Sequence, residues 1–436
     1  MSTARKADVI VIGAGVSGLA SARALRERGV RVEVLEARDR IGGRILTHRD
    51  ARAPAPIELG AEFIHGSAPE TMAIVREAGL LAVDIPDDRW ELRSRRRIPS
   101  RDFWKRLERI MGRMKAGRGP DRSFHEFLAT SPGGRKFARD RALARAYVEN
   151  FHAADALRIS ERALAKGGSP HGDPAEQRTG RVLDGYDHVA GWLTRKPHGS
   201  VRLRTIVKHI EWEPGGVHVD TSKGSYAAKA AVITLPIGVL QARPGDPGAV
   251  CIHPAISTHE DALALVTTGP VTRIVMLFRE EFWKKGKLAK LSFIHSSDPD
   301  VPAFWTLAPL RAPMLVAWAG GRRGAALALL GADERRDRAI AAAARVFGLP
   351  RAKLAALLVD SWTHNWEDDP FSRGAYSYPL VGGWKAGEML ARPIRGTLYF
   401  AGEATVREAD SGTVHGAMRS GHRAAKQVAR RLGVSA

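Results

Sequence analysis

The sequence predicts an α/β fold: a Rossmann-type domain built on a parallel sheet, interrupted by a discontinuous α+β domain. Three observations predict it. Near the N-terminus an apolar run, Val9 to Ile12, leads into Gly13-Ala14-Gly15-Val16-Ser17-Gly18, a helical stretch and a second apolar run ending in Glu36. Near the C-terminus Phe400-Ala401-Gly402-Glu403 precedes a long helical stretch from Thr413. Between the two, helical spacing gives way to strand-like apolar runs.

Val9 to Ile12 is bounded by Asp8 and the glycine loop, the pattern of a strand buried on both faces. Gly13 permits a tight turn, Gly15 leaves room for a pyrophosphate, and Gly18 lets the next helix pack close to the strand. Leu19 to Arg28 reads as that helix, closed by Gly29. Its N-terminus, with Val16 and Ser17, offers free N–H groups and a positive dipole end to phosphates. The second strand ends in Glu36, whose carboxylate can accept hydrogen bonds from ribose hydroxyls, and Ala37 and Arg38 follow it. A bare glycine pattern is weak evidence; strand, helix, strand and acid in this order indicate a dinucleotide site.

Ser67 to Arg181 has helical spacing, as in Phe103, Leu107, Ile110, Met111 and Met114. Gly167 to Gly180, rich in Gly, Pro, Asp and Ser, reads as a loop. Arg273 to Phe278, Met314 to Trp318 and Ala375 to Tyr378 read as strands of one sheet. Ala325 to Phe347 reads as two alanine-rich helical stretches with Asp333 as the N-cap of the second. Thr413 to Arg430 reads as the last helix.

With 436 residues the chain has room for two to three domains and a large core. Its single cysteine, Cys251, excludes an intrachain disulfide and fits a reducing compartment. No signal peptide and no apolar run of membrane-spanning length is visible, so a cytoplasmic protein without a membrane partner is expected. The net charge of +21 would attract polyanions, but the basic residues are dispersed and no recognition motif accompanies them. The densest cluster, Arg89 to Arg122, reads as a solvated helical surface. Neither nucleic acid nor a metal is expected as a partner, and the oligomeric state is left open.

Gly42-Gly43-Arg44, just past the ribose acid, resembles the flavin amine oxidase superfamily of monoamine oxidases, polyamine oxidases, L-amino-acid oxidases and flavin-dependent histone lysine demethylases. Four further segments resemble it in order. Glu58-Leu59-Gly60-Ala61-Glu62-Phe63-Ile64-His65-Gly66 is similar to the second FAD segment, and Leu203 to Ile210 to the adenine-side strand, where the Val207 backbone would hold adenine. Thr234-Leu235-Pro236-Ile237-Gly238 is similar to the crossover, and Phe400 to Thr405 with Thr413-Val414-His415-Gly416 to the last flavin-binding turn and helix. The resemblance implies residues 1–66, 186–250 and 394–436 as the FAD domain, and 67–185 and 251–393 as the substrate domain. It implies that Arg44 meets the FAD phosphates and that Glu403 serves the ribityl or phosphate region. The helix from Thr413 would stabilise negative charge at the flavin's pyrimidine edge.

Tyr376 matches the family's aromatic wall, whose face can hold an amine beside the flavin. Trp366 is similar to a tryptophan near the flavin, and His65 stands where animal polyamine oxidases carry a histidine that could bind or tune the substrate amine. Three departures accompany the match. Ala375 stands at the site of covalent attachment in monoamine oxidases, implying non-covalent FAD. Arg273 stands at the family's lysine, with a different donor shape and no capacity as a base, which bears on oxygen use. Between Thr405 and Thr413 no aromatic supplies the second wall, so Arg407, Glu408 or Asp410 would face the substrate. No membrane tail like that of the mitochondrial enzymes is expected after the last helix. The expected activity is oxidation of an amine C–N bond to an imine by hydride transfer to FAD, with oxygen as acceptor and hydrogen peroxide as product. Polyamine-like and other small amines are the favoured substrates. The alternatives are an amino acid or non-amine substrate, or a dehydrogenase with another acceptor.

Overall fold

The computed structural model describes residues 5–117, 119–167, 178–195, 200–284 and 286–434. Its N-terminal run forms the centre of a five-stranded parallel sheet in the order Val201–Arg202, Val32–Leu35, Val9–Ile12, Ala230–Ile233, Leu398–Phe400. All four residues of Val9–Ile12 are buried, because both faces are covered. On one face lie the helices Val16–Arg26 and Val414–Leu432, which pack on each other over Val9, Val11, Leu19, Ala424 and Val428. On the other, Ile10, Ile12 and Leu35 pack on Val207, Ile210, Val219 and Tyr226 of a second five-stranded sheet, Arg5–Lys6, Gly224–Ala228, Gly216–Thr221, Val207–Glu213, Cys251–His253.

The first helix begins at Val16 rather than Leu19: the residues after Gly15 are its first turn, and Glu27 caps its end two residues before Gly29. A Cβ on Gly18 would lie 2.0 Å from the Gly13 carbonyl oxygen, so close packing of helix on strand does require glycine there.

A seven-stranded sheet runs Leu358–Thr363, Val271–Phe278, Met314–Gly320, Ala303–Thr306, Phe293–His295, Arg89–Arg93, Arg96–Pro99. Every residue of Val271–Phe278 is buried, because helices Gly321–Ala328 and Ala332–Phe347 cover one face while Val275, Leu277, Met314 and Trp305 on the other pack against Leu59 and Phe63. That contact carries the second glycine-rich segment up against the sheet. The helices Phe103–Met111, Phe124–Ala129, Ala138–Phe151 and Glu161–Lys166 form a further cluster beside it.

Several sequence expectations are corrected. Tyr376–Pro379 does not join the strands Val271–Phe278 and Met314–Gly320; it pairs with Val266–Gly269 in a separate two-stranded ribbon. Within the stretch read as helical, Ala82–Asp84, Arg89–Arg93 and Arg96–Pro99 are strands, because long-range pairing with Thr179–Val182 and Phe293–His295 overrides the local periodicity. Asp333 lies in the first turn of Ala332–Phe347, whose N-cap is Gly331. Of the loop read over 167–180, residues 168–177 lie outside the described residues, and Thr179 and Gly180 belong to a strand. Among the described residues no helix is long and apolar enough to cross a membrane.

Candidate active site

The cofactor end of the site is built from backbone. Gly13 turns at φ +102°, and Gly15 caps the helix Val16–Arg26 with no side chain over its first N–H groups. Gly42 and Gly43 bring a second backbone against the loop: Gly15 bridges to Gly42, and a Cβ on Gly43 would sit 3.2 Å from the Gly15 Cα. Glu36, at the end of the second strand, is buried; its two carboxylate oxygens accept from the Ala14 N–H at 2.7 Å and the Arg38 N–H at 2.9 Å. Its position is thereby fixed at the mouth of the glycine loop.

At the other end, helix Val414–Leu432 starts with Thr413 as N-cap, whose hydroxyl accepts from the Gly416 N–H at 3.0 Å. Glu403 is held by Arg44 at 2.9 Å and by the Ser377 hydroxyl at 2.7 Å, and Arg44 also donates to the Ala375 carbonyl at 2.7 Å. Arg44 and Glu403 therefore pair with each other, which ties the segment after the first glycine motif to the last turn.

One cavity of about 790 Å³ runs between these ends. Of the residues singled out in the sequence, Gly13, Gly15, Val16, Ser17, Glu36, Ala37, Arg38, Gly42, Gly43, Arg44, Leu59, Gly60, Ala61, Glu62, Val207, Gly402, Glu403, Thr413 and Val414 line it, as do His65, Arg273, Trp366 and Tyr376. Gly18 does not; it lies under the loop. Asp410 lines the cavity, in contact with Arg419 and His415, whereas Arg407 is exposed and lies outside the lining.

Four of these side chains have partners that the sequence did not disclose. Glu62 does not present its carboxylate freely to the cavity: it binds Arg273, accepts from the Trp305 indole N–H at 3.1 Å and pairs with Arg181 at 3.1 Å. Arg273 also donates to the Gly60 carbonyl at 2.7 Å. One buried carboxylate thus holds two buried guanidiniums. The Tyr376 hydroxyl donates to the Phe151 carbonyl, Gly412 lies against its ring, and burial pushes the phenol's pKa up. The Trp366 indole donates to the Leu59 carbonyl at 3.0 Å.

The missing second aromatic wall is answered from elsewhere. Leu143, Ala146, Tyr147, Asn150 and Phe151, spaced along one face of helix Ala138–Phe151, line the cavity, and Tyr147 stacks on Phe151 at 4.9 Å. That spacing is visible in the sequence and is the signal that could have found them. Phe103, Trp104, Phe293 and Trp305 extend the aromatic lining.

Three histidines share this end. Burial, with help from His415 and Arg89, lowers the pKa of His65 to about 4; burial lowers His152 to about 4; burial and Arg89 lower His295 to about 3. All three are neutral near pH 7. The unfolded histidine takes a proton near 6.5, so the stability each contributes is present above that pH and is lost as pH falls toward its folded value, at roughly 1.4 kcal/mol per pH unit. Glu58 works oppositely, since burial raises it to about 7 and the folded state gains as pH falls. His295→Leu is expected to lose roughly 2–3 kcal/mol less than wild type between pH 6.5 and 4.5; equal pH slopes in denaturant unfolding would refute this.

The glycine loop, the uncapped helix start, the anchored Glu36 and the Val207 backbone fit a dinucleotide at one end, and the aromatic chamber fits an organic substrate at the other. The sequence model described as flavin containing amine oxidoreductase matches residues 16–429. Polyamine oxidase 4 of Oryza sativa subsp. japonica is 30% identical, over 98% of this chain and 89% of its own length. Among solved structures, putrescine oxidase bound to putrescine superimposes with a TM-score of 0.82 at 21% identity, over 98% of this chain and all of that one. Cyclohexylamine oxidase from Brevibacterium oxydans does so with a TM-score of 0.81 at 21% identity, over 98% and 99%.

Proposed function

Because the chain belongs to the flavin containing amine oxidoreductase family, we propose that it oxidises the C–N bond of a small amine to an imine with non-covalently bound FAD and oxygen. It is an oxidoreductase and a flavoprotein of the amine oxidase kind. In the proposed reaction the carbon beside nitrogen loses hydride, nitrogen loses a proton, and the C=N bond forms. Oxygen takes the two electrons and two protons as hydrogen peroxide, and water converts the imine to a carbonyl compound and an amine.

The observation that carries the reading is the single cavity joining the glycine loop and Glu36 to Tyr376, His65 and Trp366. When bound, the flavin supplies the electron sink for hydride loss. The chain's own residues do the rest. The loop from Gly13 and the start of helix Val16–Arg26 hold phosphate through N–H groups and the helix dipole. Glu36 holds ribose hydroxyls, and the Val207 backbone holds the adenine. The start of helix Val414–Leu432 favours negative charge at the opposite end. Tyr376 offers its ring face to the amine, and neutral His65 accepts a hydrogen bond from it. The only thiol, Cys251, is outside the cavity lining while Ala375 is in it, which supports non-covalent attachment. We divide the chain into the FAD-binding segments 1–66, 186–250 and 394–436 and the substrate-binding segments 67–185 and 251–393.

Arg273 favours a second reading, a dehydrogenase with another acceptor, because its guanidinium is committed to Glu62 and the Gly60 carbonyl. Anaerobic mixing of the FAD-loaded protein with a panel of amines, followed by air, separates the two. Bleaching by amines with rapid recovery is expected. Slow recovery would favour the second reading, and no bleaching by any amine would overturn both.

A further inference from the structure

Arg89 was expected in a solvated basic surface; it lies instead in the wall of the substrate chamber, its side chain 9% exposed. It comes from the strand Arg89–Arg93, beside Phe293. Its guanidinium carbon lies 4.4 Å from the ring centre of Phe293, 4.8 Å from Trp104 and 5.1 Å from Phe103. Its Nε donates to Asp87, a carboxylate 56% exposed. Among the described residues its two terminal nitrogens have no hydrogen-bond partner. A guanidinium withdrawn from water and resting on three rings, with most of its donors unspent, is poised to receive a ligand's acceptors.

Among the described residues, the carboxylates lining the cavity are all engaged. Glu36 is held by backbone N–H groups, Glu62 by two arginines, Glu403 by Arg44 and Asp410 by Arg419. His65, His152 and His295 are neutral. The charge of Arg89 reaches His65 and His295, which sets it in the same chamber as the proposed amine site.

We propose that Arg89 is the anion anchor of this chamber and selects an amine bearing a carboxylate on an aromatic or other apolar body over a polyamine. The inference rests on the amine-oxidising reading and names the substrate class of that site. A carboxylate meets the planar fork of Arg89 while the body lies against Phe103, Trp104 and Phe293. The second ammonium of a polyamine meets a like charge and finds no free carboxylate among the described residues that line the cavity. Arg89 is thereby a specificity-determining residue, with Asp87 holding its orientation from the solvent side.

The test uses the FAD-loaded enzyme with both enantiomers of phenylalanine, with 2-phenylethylamine and with spermidine, each followed by anaerobic flavin reduction. Binding of the unreactive 3-phenylpropionate is measured by calorimetry beside neutral 3-phenylpropanol. One phenylalanine enantiomer is expected to react at least about tenfold more efficiently than spermidine. Arg89→Met is expected to weaken 3-phenylpropionate and phenylalanine by about ten- to a hundredfold, leaving 2-phenylethylamine and 3-phenylpropanol within about threefold. Arg89→Lys keeps the charge and is expected to fall between; it serves alone if the methionine variant does not fold. Spermidine reacting as well as phenylalanine, or 3-phenylpropionate binding unchanged in the variants, would overturn the proposal while the oxidase reading stands. If no amine reduces the flavin, that reading fails, and 3-phenylpropionate binding in wild type against the Arg89 variants still decides the anchor.

Discussion

Glu62→Gln is expected to destabilise the protein by about 3–5 kcal/mol, as a lowered midpoint in denaturant unfolding, and to reduce the flavin it retains. Glu62 is 7% exposed, Arg273 4% and Arg181 5%, so the three groups are all out of solvent. The carboxylate is the counter-charge to both guanidiniums and also accepts from Trp305. A glutamine keeps the shape but leaves two buried positive charges facing each other. The damage spreads to the cofactor, because Arg273 also grips the Gly60 carbonyl, and Gly60 to Glu62 form part of the cavity wall. Arg273→Met alone should cost less, since Glu62 keeps Arg181. The double variant should recover part of the single Glu62→Gln loss, a coupling of about 0.5–3 kcal/mol. A Glu62→Gln protein within about 1 kcal/mol of wild type, with full flavin, would show that the network contributes little.

This network explains what could and could not be read from the chain. The places of the glycine loop, Glu36 and the helix from Thr413 were legible because their conformation is local: each follows from a few neighbouring residues and a backbone turn. Nearly all of them line one cavity. The arginines were not legible. Arg89 and Arg106 sit in a basic run that reads as solvated, yet Arg106 is buried against Asp140 and Glu91, and Arg89 lies under three aromatic rings. Whether an arginine is buried depends on which carboxylates and rings the fold brings to it, and those come from distant segments. Tyr376 shows the same limit from the other side. Its place in the cavity wall was expected from its neighbours, but its strand partner, Val266–Gly269, could not be read, because alternating residues fix a face and not a pairing. The stripe Leu143, Tyr147, Phe151 was readable at helical spacing, and its cavity-facing role appears only once the helix is set against Tyr376.

Gly18→Ala is expected to yield a protein that binds little or no flavin and is destabilised by on the order of 3 kcal/mol. The new methyl would lie 2.0 Å from the Gly13 carbonyl oxygen and 3.1 Å from the Thr234 hydroxyl oxygen. Neither yields easily. Gly13 is committed to a turn at φ +102°, and the Thr234 hydroxyl donates to the Ile12 carbonyl at 2.8 Å. Relief therefore requires helix Val16–Arg26 to move off the sheet by more than an ångström. That displaces the very N–H groups at the cavity wall, and it opens the contact with helix Val414–Leu432 beneath, where a Cβ on Gly421 would lie 2.2 Å from the Ser17 carbonyl oxygen. A matched control is Gly191→Ala in helix Asp187–Leu193, where the added methyl meets nothing within 4 Å and should be neutral or stabilising by about 0.5–1 kcal/mol. The visible flavin absorbance of the two purified variants, with their unfolding midpoints, decides the matter. Full flavin in Gly18→Ala would mean that the close approach of helix to strand is not what builds the glycine-loop end of the site.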